Sequence, residues 1–196
     1  MQFLEWDGRS YLESNDTGRP LAASALGGLL GHTRCELATL NPGLGYRPHN
    51  GDTGFIAPGS AVYAVRGYST GFRLAVGDRN ALRLYEVDSA PLARKGSDLL
   101  DIGGRVRLVR ILDGVRETRT LGLIANSTVI TTLVGDILRA PVRGDGTTNE
   151  LPLFVRFALA DGTSVTRAWF PRSGLLWRGI HLPSQATRIL QDAMNG

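Results

Sequence analysis

Alternation of apolar and polar side chains is clearest between residues 153 and 182. Leu153, Val155, Phe157 and Leu159 share one parity, and Phe154, Arg156, Ala158 and Ala160 share the other. That is the period of a strand. Asp161-Gly162 turns the chain, Val165, Arg167 and Trp169 return it, and Leu175 to Leu182 adds a third strand after the turn at Pro171 to Gly174. Pro183-Ser184 then opens a helix carrying Ala186, Ile189, Leu190, Ala193 and Met194 at helical spacing. Upstream, Asn126 is a candidate N-cap for a second helix, in which Val129, Ile130, Leu133, Val134, Ile137 and Leu138 make one apolar stripe. Arg139 complements its dipole and Pro141 stops it.

The first half reads as strands separated by turns. Asp7-Gly8 between Phe3-Leu4-Trp6 and Tyr11-Leu12 predicts a hairpin with strands near 2–6 and 10–14, since a two-residue type I′ turn needs φ > 0 at both central positions. A strand is expected over 28–38, with His32, Arg34 and Glu36 on one face and Leu30, Thr33, Cys35 and Leu37 on the other. Asn41 to Gly54 holds two prolines and four glycines and reads as a long loop. Strands follow at 61–65, 72–76 and 82–87, with a hairpin turn at Gly77 to Asn80. A polar connection spans 88–98, and two further strands run over 105–112 and 118–124 around Asp113-Gly114. The fold class is therefore α+β: β-rich, with one or two antiparallel sheets and two amphipathic helices packed on them. A chain of 196 residues suits one domain, with a possible subdivision into 1–112 and 113–196.

Composition adds little that narrows the function. The net charge is +4, and Lys95 is the one lysine among 22 basic residues. Arginine forks match phosphate, but the basic residues form no dense block, so nucleic acid is not the expected partner. Arg105, Arg107, Arg156 and Arg167 are the candidates for an anion-binding sheet face. No run reaches the roughly 20 apolar residues of a membrane span. The longest apolar stretch is Leu21 to Leu30, interrupted by Ser24, Gly27 and Gly28. Its position, and the acidic Glu5, Asp7, Glu13 and Asp16 ahead of it, speak against a secretory leader.

Candidate chemistry is sparse. Cys35 is the single cysteine, so no intrachain disulfide forms. His32, His49 and His181 supply too few ligands at too irregular a spacing for zinc. A Cys–His nucleophile would pair Cys35 with His49 or His181, with nothing local to lower the thiol's pKa. Nucleophile-elbow, Walker and Rossmann patterns are missing, and no cofactor is implied. Asp98 and Asp101 flank Leu99-Leu100, a spacing that serves either acid–base work or a capped turn. Asp145 to Asn149 could offer oxygen ligands to calcium but lacks the EF-hand pattern. The feature folding explains least is the cluster of Tyr46, Arg47, Tyr63, Arg66, Tyr68, Phe72 and Arg73 around the 41–54 loop and the strand beyond it. Aromatic and Arg side chains together favour binding surfaces.

A resemblance accompanies these residues. Gly54 to Asp101 (Gly-Phe-Ile-Ala-Pro-Gly-Ser-Ala-Val-Tyr through Leu-Tyr-Glu-Val-Asp to Asp-Leu-Leu-Asp) resembles bacterial envelope proteins of unknown function. So do Leu133 to Val142 and the C-terminal Phe-Ala-Leu-Ala-Asp-Gly-Thr, Arg-Ala-Trp-Phe and Gly-Ile-His-Leu-Pro. The likeness covers about residues 54–194 and implies a secreted or lipoprotein-like, extracytoplasmic setting. It marks no catalytic residue. The expected function is a non-enzymatic binding or interaction domain with a protein or small-molecule ligand. The alternatives are a small hydrolase with a site assembled from distant residues, for instance Asp98, Asp101 and a histidine, and a nucleic-acid-binding protein.

Overall fold

The computed structural model describes residues 2–14, 21–40, 42–78, 81–114, 119–144 and 148–195. The chain divides into two compact units, 1–92 and 93–196. The division lies ahead of the 112/113 boundary read from sequence. The strand over 106–112 pairs only with later strands, so it belongs to the second unit.

The first unit is one eight-stranded sheet. In chain order its strands are β1 (Phe3–Trp6), β2 (Arg9–Glu13), β3 (Leu26–His32), β4 (Cys35–Glu36), β5 (Asp52–Thr53), β6 (Ala61–Val65), β7 (Arg73–Val76) and β8 (Arg83–Ser89), with a single helical turn, α1 (Leu37–Leu40), after β4. Asp7 and Gly8 both take positive φ, as the Asp-Gly signal requires, and set Trp6 opposite Arg9. The spatial order is β3-β6-β7-β8-β2-β1-β5-β4. The two ends of that order, β3 and β4, are pieces of the strand expected over 28–38, separated by Thr33 and Arg34; that strand ends early, since Leu37 and Ala38 turn into α1. Thr33 N–H donates to the Ser60 carbonyl on one side, and Arg34 N–H donates to the Gly51 carbonyl on the other. The short segment at Thr33 and Arg34 is thus bonded to both ends of the sheet, while β3 keeps β6 as its one strand neighbour.

The interior of this unit is Leu4, Tyr11, Val62, Leu74, Val76, Tyr85 and Val87, each at most 2% exposed. The other face of β6–β8 holds a smaller cluster of Leu26, Val65, Ala75 and Leu82, against which Tyr63, Tyr68 and Leu84 pack. Beside it lies a buried ion pair. Arg73 Nη2 reaches Glu86 Oε1 at 2.6 Å and Nε reaches the same oxygen at 3.2 Å, across directly paired β7 and β8.

The second unit is a six-stranded antiparallel sheet covered by two helices. It comprises β9 (Val106–Leu112), β10 (Thr120–Ile124), α2 (Ser127–Arg139), β11 (Leu153–Leu159), β12 (Ser164–Phe170), β13 (Leu175–Leu176), β14 (Ile180–His181) and α3 (Ser184–Asn195), in the order β10-β9-β11-β12-β13-β14. Asn126 caps α2 as expected, its Oδ1 accepting from Thr128 and Val129 N–H. The α2 stripe buries Ile130, Leu133, Val134 and Ile137, and α3 buries Ala186 and Leu190. The sheet contributes Val109, Ile111, Ile124, Val155, Phe157, Val165 and Trp169, all nearly solvent-free. A Cβ on Gly122 would collide with the Ala193 carbonyl, so glycine lets α3 lie directly on β10.

Two expectations change. The strand read over Leu175–Leu182 is a tight hairpin: Arg178 and Gly179 take positive φ, and Leu175 pairs back to His181. Arg105, Arg107, Arg156 and Arg167 do not share a face. Arg156 stands opposite Thr166 in the register, which sends Arg167 to the other side of the sheet. Arg107 is the extra residue of a bulge, and Arg105 precedes β9, its Nε 4.0 Å from Asp101. The Gly77–Asn80 turn, the start of the 118–124 strand and the Asp145–Asn149 loop each run partly outside the described residues, and Asp16 lies outside them.

Replacing Arg73 with Met leaves the Glu86 carboxylate buried without its guanidinium. That should lower the unfolding free energy of the first unit by about 3–5 kcal/mol. Native-state hydrogen exchange of the β7 and β8 amides measures it.

Candidate functional site

The segment between α1 and β6 is where the first unit shows the most apolar surface. Leu40, Phe55 and Leu44 are 55%, 54% and fully exposed, and Tyr46 is 36% exposed. An apolar surface on a floppy loop would be an accident of composition. This one is fastened. Gly51 N–H donates to the Glu5 carbonyl and Gly54 N–H to the Phe3 carbonyl, so β1 holds one side. Arg34 and Ala38 N–H donate to Gly51 and Gly54, so the β4–α1 segment holds the other.

Three buried polar side chains complete the fastening. Thr33 Oγ1 donates to the Ala57 carbonyl and accepts from Ser60 N–H. Thr53 Oγ1 donates to the Ile56 carbonyl at 2.7 Å, and accepts from Ile56 N–H. Asp52, 4% exposed, accepts from His49 N–H and from the Tyr46 hydroxyl, both at 2.7 Å on Oδ2. Buried polar groups persist only where they are bonded, and each of these spends its bonds on the loop.

The electrostatics follow from Asp52. Its hydrogen bond, with some burial, pushes the Tyr46 phenol up to about 12. A hydroxyl has one proton. With that proton given to Asp52, the 3.1 Å contact between Tyr46 Oη and His49 Nδ1 requires the imidazole to carry its proton on Nδ1. His49 Nδ1 is 3.7 Å from Asp52 Oδ2, so the ring belongs to the same cluster. On β1, burial and the nearby Asp52 and Asp88 charges push the Glu5 carboxyl up, against a hydrogen bond from Ser10 that lowers it.

The seven residues singled out by sequence separate into distinct environments. Tyr46 and Arg47 stand exposed on the loop. Tyr68, Phe72 and Arg73 come together, but as packing: the guanidinium lies 4.8 Å from the Tyr68 ring centroid and 5.1 Å from that of Phe72, and Phe72 and Arg73 are out of solvent. Tyr63 is half-buried in the adjacent apolar cluster. Arg66 Nε donates to the Leu26 carbonyl. Of the cluster, only Tyr46 and Arg47 therefore remain on the exposed apolar loop. Sequence reasoning did not single out Asp52, Thr33 or Thr53. A signal for Asp52 exists: an acid reaching back to the backbone N–H three residues earlier, as in a capping box. Asp98 repeats it, Oδ2 accepting from Arg94 and Lys95 N–H. That carboxylate thus works in a capped turn, while Asp101 faces Arg105.

Among the described residues no group of His, Cys, Asp and Glu is arranged to hold a metal ion, and no helix is long and apolar enough to cross a membrane. Cys35 is half-buried and pairs through its backbone with Asp52. Compared with known proteins, the chain matches no family model, no curated protein and no solved structure.

A tyrosine whose folded pKa is raised contributes stability below its unfolded value, and that contribution is lost as pH rises through the folded value. Asp52's hold on Tyr46 should be intact below pH about 10 and fade as pH approaches about 12. In Asp52→Asn the Tyr46 midpoint should fall back toward the ordinary tyrosine range. NMR titration of the Tyr46 ring carbons reads this; an unchanged midpoint would refute the assignment.

Proposed function

We propose that the chain is a non-enzymatic binding domain whose first unit presents the 40–55 segment to a protein partner. The observation that carries the reading is the combination of large exposed apolar side chains, Leu40, Leu44, Tyr46 and Phe55, with a backbone fastened from both sides. Large apolar side chains left exposed on one segment favour interaction, and a surface already held in one conformation loses less entropy on binding. Arg47 stands beside Tyr46, and the aliphatic stem of Arg34 packs over Gly51, so cationic groups accompany the apolar ones. Aromatic and Arg residues within an apolar patch are the usual anchors of protein interfaces. A cell-envelope, extracytoplasmic setting is part of this reading and rests on the resemblance of residues 54–194 alone.

The test is a comparison of the full chain with a Leu44→Ser/Phe55→Ser variant. A partner captured by crosslinking in the native cell and confirmed with purified components should bind the variant at least about tenfold more weakly, with an unchanged thermal midpoint. Both positions are exposed, so the fold should survive. Equal affinity for the two proteins would overturn the proposal.

A further inference from the structure

In the second unit, the α2 face beside the start of β9 is only partly covered. Ile130, Val134 and Leu138 form one wall of a groove of about 280 Å³, and Val106 with the Gly103-Gly104 turn forms the other. Arg107, the extra residue of the β9 bulge, also lines it.

Three observations say what such a groove takes. Its lining is mostly apolar, with Val106, Ile130, Val134 and Leu138 beside the Ser127 and Thr131 hydroxyls, so an occupant apolar along most of its length fits it. Glycine at 135, inside a thirteen-residue helix, costs about 0.8–1 kcal/mol relative to alanine. Nothing rigid requires it: a Cβ there would meet only the tip of the Arg139 side chain, at 3.2 Å. What glycine does provide is room, because position 135 lines the groove and any side chain would enter it. Finally, Arg107 is exposed, and none of the ion pairs found among the described residues involves it. A lone guanidinium on a mostly apolar groove is complementary to one planar anion on an apolar chain, and its fork suits a carboxylate. The volume lies at the lower end of small-molecule sites, which run from roughly 300 to 1,000 Å³, so the chain must be short.

We propose that this groove binds a small single-chain carboxylate amphiphile, its chain along Ile130, Val134 and Leu138 and its carboxylate on Arg107. The site is separate from the 40–55 loop and stands or falls without it.

Octanoate and 1-octanol titrated into the full chain test the assignment, followed by amide NMR shifts. Octanoate should bind with shifts confined to residues 103–107 and 127–138, and 1-octanol about tenfold more weakly, as a lost charge-assisted bond implies. Arg107→Gln should reduce octanoate affinity about tenfold and leave 1-octanol unchanged. Gly135→Leu, which fills the groove while favouring the helix, should abolish both. No octanoate binding at millimolar concentration would overturn the proposal. So would binding that neither substitution changes in a variant whose thermal midpoint is preserved.

Discussion

The first unit depends on two backbone hydrogen bonds that leave the chain in opposite directions. Thr33 N–H pairs with Ser60 and Arg34 N–H with Gly51, so one extended segment serves as both ends of an eight-stranded sheet. Backbone donors left unpaired at a sheet edge cost free energy and invite association. The bonds at residues 33 and 34 pair two such donors, and β5 with the residues before it comes to lie between the β4–α1 segment and β1. The fastening of residues 51–54 follows from that geometry. Thr33, Asp52 and Thr53 are buried there, and their side chains bond the adjacent loops.

The second unit reaches stability by more ordinary means. One face of an antiparallel sheet is apolar, and two amphipathic helices, of which Asn126 caps α2, cover it. Much of its core follows period-2 or period-3.6 spacing, although neighbours are buried together at Ile111-Leu112, Ala168-Trp169 and Leu175-Leu176. Further departures are local: a bulge at Arg107, a close approach at Gly122 and a glycine at 135. Two of these three border the groove on α2.

Legibility in the sequence follows the same division. The Asp7-Gly8 hairpin, the 61–65 strand, the Asn126 cap and the alternation from Leu153 to Leu159 were plain, because each rests on neighbours in sequence. The 28–38 strand was legible as extended chain, but its role was not. Nothing local says that a strand changes partners between Thr33 and Arg34, since that depends on residues 51 and 60 arriving from elsewhere. The aromatic and arginine cluster shows the converse limit. Phe72 and Arg73 look like binding residues until Glu86, thirteen positions on, is seen to neutralise the guanidinium beneath two rings. Tyr46 was singled out for its ring; its partner Asp52 was passed over because a two-residue strand carries no periodic signal.

Residues 51–54 are held between β1 and the β4–α1 segment rather than merely exposed. Hydrogen exchange of the Arg34, Ala38, Gly51 and Gly54 amides reads this directly, since these four donors form the fastening. The account predicts protection comparable to that of the β6 amides. Exchange of these four at the rate of an unstructured peptide, with β6 still protected, would contradict it.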